Sequence, residues 1–211
     1  PDHRRADRGR APAARPRKNL AAAPPAIATH DATPWVWAML ARGDARVVVA
    51  PVLVRFTKNR PAARADTLTC VRPAGGSTHG EMPRQGILPH DAFHFVVETT
   101  LGWRDAFFGR VAGGLSLDHL THKRHGEKID WAKNQQALQS ESLVECLQAE
   151  QWGGAADPAT FAETLAVTCR RRGVPPPPLT AAELGRVRTA LREFGAAWRP
   201  LPPGQSIERT F

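Results

Sequence analysis

Segments that read as strand come first in this chain and segments that read as helix come after, and this segregation constrains the fold more than any other feature. Arg46 to Phe56 is β-branched and apolar, with Pro51 marking a break or an edge. Thr67 to Arg72 reads as a second strand, Pro73-Ala74-Gly75-Gly76-Ser77 as a turn, and Thr78 to Met82 as the strand that returns. From Leu88 onward the spacing is helical, until Ile207, Arg209 and Phe211 alternate again. The expected fold class is therefore α+β. A small antiparallel sheet, built from the hairpin plus a C-terminal strand, packs against several helices.

The helices carry their own punctuation. One is expected from about Pro89 to Leu101, closed by Gly102. A shorter one spans Trp103 to Ala112, with Trp103, Phe107 and Phe108 read as core. Asp130 can cap a third that sets Leu138, Val144 and Leu147 on one side. Asp157-Pro158 is a cap followed by a first-turn proline, and Phe161, Leu165 and Cys169 follow at i, i+4, i+8, with Gly173 as the stop. Pro175 to Pro178 form a stiff linker. Thr180-Ala181-Ala182-Glu183 is a capping box, opening a helix that presents Leu184, Val187, Leu191 and Phe194 to a core.

Residues 1–33 are rich in Arg, Ala and Pro and lack an apolar period. They are expected to be a disordered basic tail, leaving residues 34–211 as a single α+β domain. Of the net charge of +9, residues 1–20 supply +5 from seven basic and two acidic side chains. A nucleic-acid contact inferred from charge would thus be weak and would belong to the tail. Cys70, Cys146 and Cys169 are odd in number, far apart and in no CxxC pair. That argues against a disulfide framework or a thiolate zinc site and suits a reducing, cytoplasmic setting. No signal peptide is expected, and no run approaches the roughly 18 apolar residues of a membrane span. No GxSxG, P-loop or GxGxxG is present, so no nucleotide cofactor is expected.

Chemistry concentrates in the helix after Pro89. His90 and His94 are four residues apart and share a helix face, so two imidazoles can meet one divalent ion, zinc or iron. His90-Asp91-x-x-His94 is close to the HExxH pattern of zinc hydrolases, with an acid one methylene shorter. Asp91 is read as an orienting acid that also complements the helix dipole. Glu98 stands about 6 Å along the axis from His94 and about 12 Å from His90. It is read as a ligand near His94, or as a base that accepts the other ring N–H of that residue. Six of the eight histidines fall between residues 79 and 125. His119 and His122 are the candidates for a further ligand.

Leu88-Pro89-His90-Asp91, then His94, Val97-Glu98, Leu101-Gly102 and Phe107-Phe108-Gly109 with Ala112-Gly113-Gly114 resemble a group of small bacterial proteins of unknown function. These share an LxHDxxHxxVE…G…FFGxxAxG pattern, which covers about residues 88–114 here and implies no activity. The HDxxH core is also similar to the metal motif of the Coq4 quinone-biosynthesis family. That likeness implies a carboxylate eleven residues past the second histidine; the residue there is Ala106, with Asp105 beside it.

Two readings of function follow. The first is a divalent-metal-binding protein, a metal-dependent hydrolase or lyase with Asp91 and Glu98 as its acid and base. The alternative is a non-catalytic module that meets nucleic acid or protein through its basic arm, the His/Asp/Glu set being a structural polar network.

Overall fold

A computed structural model describes residues 51–73, 75–121, 134–153 and 157–211, all within one compact unit, Val47–Phe211. The expected tail and the start of the first expected strand lie outside the described residues, as does Asp130. The strands are β1 (Leu53–Thr57), β2 (Ala65–Val71), β3 (Ser77–Pro83) and β4 (Ser206–Thr210). All neighbours are antiparallel in the order β3-β2-β1-β4. The C-terminal strand joins the sheet along β1, Leu53 opposite Thr210 and Thr57 opposite Ser206. Pro51 sits just ahead of this ladder, where its missing N–H costs nothing.

One face of the sheet is apolar by simple alternation. Val54, Phe56, Leu68, Cys70, Met82 and Ile207 point inward and are buried, while their neighbours are at least partly exposed. Helix α1 (His90–Leu101) lies in the middle of the molecule and packs against two later helices, α4 (Gln135–Gln151) and α6 (Ala181–Trp198). Every residue from Ala92 to Glu98 is buried. A helix buried on all sides must find partners for any polar group it carries, and α1 carries His94 and Glu98. Phe95 leans edge-on against Phe56 at 5.6 Å and against Phe108 at 5.5 Å, which ties α1 to the sheet and to α2 (Phe107–Ala112).

The terminal signals largely hold. Gly102 closes α1 at φ 68°, a left-handed position that favours glycine. Asp157 accepts from the Ala159 and Thr160 amides to start α5 (Pro158–Arg171), and the Thr180–Glu183 box starts α6. Two elements begin later than expected. Helix α2 starts at Phe107 because the amides of Arg104 and Asp105 are both held by Gln136 Oε1, which keeps Trp103 to Ala106 irregular. Helix α4 starts at Gln135, capped by Asn134 Oδ1 on the Ala137 amide at 2.8 Å. A five-residue helix, α3 (Leu117–Thr121), lies beside β3. Among the described residues no helix is long and apolar enough to cross a membrane.

The three thiols are all buried and unpaired. Burial, with the nearby charge of Asp91, pushes the Cys70 thiol up to about 12, so it serves as packing and not as a nucleophile.

Candidate metal centre

The i, i+4 spacing of His90 and His94 does what helix geometry requires. Their ring centroids are 4.7 Å apart and their Nε2 atoms 3.1 Å apart. A third donor arrives from α4. Glu141 Oε1 is 3.4 Å from His94 Nε2, and Glu141 Oε2 is 3.7 Å from His90 Nε2. One ligand atom from each of the three residues lies within 4.8 Å of the others, so the group could hold a metal ion. Donors about 2.1 Å from a shared tetrahedral centre stand roughly 3.4 Å from one another. The Nε2–Nε2 separation of 3.1 Å and the His94 Nε2–Glu141 Oε1 separation of 3.4 Å fall near that value, while the 3.7 Å contact is made by the other Glu141 oxygen.

The outer nitrogens are held as well. His90 Nδ1 donates to Gln148 Oε1 at 3.0 Å, and Gln148 Nε2 passes the chain on to Gln85 Oε1 at 2.8 Å. His94 Nδ1 faces Glu98 Oε1 at 3.3 Å, with Ser140 Oγ at 3.2 Å. Acceptors at both Nδ1 atoms place the ring proton there and leave both Nε2 lone pairs turned inward. Two lone pairs 3.1 Å apart repel unless a cation or a proton stands between them.

The electrostatics agree. Burial alone would lower the His94 pKa, but hydrogen bonds to Glu141 and Glu98 outweigh it and hold it at about 10, against 6.5 for a free ring. For Glu141, burial works upward, yet the two histidines hold its carboxyl well below the usual carboxylate range. Asp91 is half-buried beside the pair, and burial pushes its carboxyl up against the opposing pull of His94 and His90. The inner edge of the group opens on a cavity of about 400 Å³ whose walls include Asp91, Phe107, Leu120 and Leu138.

Glu98 stands elsewhere. Its carboxylate is fully buried and lies on the Nδ1 side of His94, away from the converging Nε2 atoms. Oε1 accepts from the Phe107 amide at 3.0 Å, and Oε2 accepts from Phe108 at 2.8 Å and Gly109 at 3.3 Å. These are the open amides of the first turn of α2, which has no side-chain cap of its own. Glu98 therefore caps α2 and orients His94, and it lies outside the group of converging ligand atoms. The His119 side chain and all of His122 lie outside the described residues.

Sequence spacing alone did not single out Glu141, because it lies 47 residues after His94 and only packing brings its helix to α1. One signal was present. Glu141 and Gln148 are seven residues apart and share a stripe with Ala137 and Val144, so two polar groups sit on a buried-type face. Both touch His90. Compared with known proteins, the chain matches no family model, no curated sequence and no solved structure.

Proposed function

We propose that this protein binds one divalent cation through His90 Nε2, His94 Nε2 and a Glu141 oxygen, and uses it in hydrolase- or lyase-type chemistry on a substrate held in the 400 Å³ cavity. The observation that carries the reading is the convergence of three donors, with both histidine rings already held at their outer Nδ1 atoms. Two nitrogens and one carboxylate oxygen suit zinc or ferrous iron, and three protein ligands leave a position open toward the cavity. A cation there would polarise an oxygen-bearing group of the substrate. Asp91, on the cavity wall with its carboxyl pushed up by burial, is the group placed to give or take a proton. The resemblance of His90-Asp91-x-x-His94 to known metal motifs supports the same reading, with the carboxylate supplied by a separate helix. The structural-network alternative keeps a real part: Glu98, Ser140 and Gln148 serve as the frame of the site.

Metal binding should compete with the His94 proton. In the metal-free protein that proton adds stability that is full below about pH 6.5 and is lost as the pH rises through about 10. A cation must displace it, so apparent affinity should rise about tenfold per pH unit between pH 7 and 8. Zinc titrations followed by melting temperature should show this slope, with a stabilisation of roughly 2.7 kcal/mol at a hundredfold excess over Kd that EDTA removes. A melting temperature indifferent to zinc and to EDTA at both pH values would remove the proposed centre.

A further inference from the structure

A second and larger cavity, about 670 Å³, lies next to Pro89, the residue before His90. Its wall is partly apolar, with Ile87, Leu191 and Trp198, and its charged lining is four cations, Lys58, Arg84, Arg192 and Arg199, against Asp66. Arg84 and Asp66 on that lining satisfy each other at 3.0 Å. The other three cations, Lys58, Arg192 and Arg199, meet no carboxylate among the described residues. Lys58 Nζ donates to the Trp198 and Arg199 carbonyls at 2.8 and 3.1 Å, and Arg192 Nη2 to Thr189 Oγ1 at 2.8 Å. The carbonyls at the end of α6 offset part of the Lys58 charge, which leaves the two arginines as the free positive field.

Those arginines flank a gap. Arg192, Gly195 and Arg199 stand at i, i+3 and i+7 on one stripe of α6, with the glycine buried between the charges. Glycine in a helix interior is disfavoured relative to alanine. The packing does not demand it here: a Cβ at Gly195 would meet Arg199 Nη1 at 3.5 Å and Leu88 Cδ1 at 3.8 Å, ordinary contacts. The missing side chain leaves room at the cavity wall, where the Arg199 guanidinium lies over Gly195. Trp152 is 60% exposed, and its Nε1 lies 3.5 Å from the Gln85 carbonyl. Gln85 itself lines the cavity.

We infer that this cavity binds a small organic anion with an aromatic or aliphatic body. Arg192 and Arg199 hold its carboxylate, phosphate or sulfonate, and Leu191 and Trp198 carry its body. The inference stands apart from the metal reading, since none of the three proposed ligands lines this cavity.

The test is a fluorescence titration of the full metal-free chain with 8-anilinonaphthalene-1-sulfonate at physiological salt. One saturable site is expected. Arg192→Gln with Arg199→Gln should weaken it about tenfold or more. Gly195→Leu should abolish it while the circular dichroism spectrum is kept, and uncharged N-phenyl-1-naphthylamine should bind about tenfold more weakly than the sulfonate. Both arginines are exposed, so the double variant is readable even if Gly195→Leu does not fold. Binding that does not saturate, that ignores the arginine pair, or that is equal for the uncharged probe would overturn the inference. Displacement by inorganic phosphate at the probe's own concentration would also overturn it, leaving a site for the bare ion.

Discussion

Glu98→Gln should destabilise the protein by about 3–5 kcal/mol and weaken metal binding roughly 10–100-fold, although Glu98 touches no metal in the proposed centre. The carboxylate accepts from three backbone amides and faces His94 Nδ1, with no surface open to water. A glutamine offers one oxygen where the site uses two. Wherever its NH2 is placed, a donor faces donors. If the oxygen keeps Phe108 and Gly109, the NH2 meets the Phe107 amide and the His94 ring. The ring can accept that hydrogen only by moving its own proton to Nε2, which blocks the lone pair the cation needs. Stability and affinity should thus fall together, read by chemical denaturation and by zinc titration of the same samples. A variant that melts with the wild type and binds zinc equally well would show that Glu98 neither caps α2 nor orients His94.

Gly109→Ala should be nearly as damaging, at about 3 kcal/mol or a drop on the order of 10 °C in melting temperature. Gly109 is in the first turn of α2, where alanine would normally help a helix. Here a Cβ would overlap the backbone carbonyl of Arg104, and backbone cannot step aside as a flexible side chain can. The Arg104 backbone is itself fixed, since its amide and that of Asp105 are bound to Gln136. Relief has to come from moving α2, which pulls the Phe107 to Gly109 amides off Glu98. Thermal melts of the single variant check this, and an unchanged or raised melting temperature would mean that the turn yields without cost.

These two residues also show where sequence reasoning reached and where it stopped. Glu98 and Phe107-Phe108-Gly109 stood out as parts of one pattern, and in space they are one device, a carboxylate closing the start of a helix. Helix geometry brings Glu98 close to His94 and allows it to be either a metal ligand or the acceptor of the other ring N–H, and the fold makes it the acceptor. That distance is local and correct. Which nitrogen it meets depends on the amides of α2 competing for the same oxygens, and no periodicity encodes that competition. The histidine pair, the α+β class and most caps were legible for the same local reason: each depends on residues within about one or two helical turns. Glu141 was not, since its role exists only after α4 packs on α1. The burial of α1 from Ala92 to Glu98 was half legible in Phe93, Phe95, Val96 and Val97, and it is what obliges His94 and Glu98 to pair.

The most direct measurement is the metal bound per chain, by elemental analysis, in protein made without an affinity His-tag and dialysed against micromolar zinc. Wild type and Glu141→Gln are compared, because Glu141 is 38% exposed and its loss should leave the fold intact. The expected result is close to one ion per wild-type chain and far less in Glu141→Gln. Metal-free wild type, or equal metal in both proteins, would contradict a centre built from His90, His94 and Glu141.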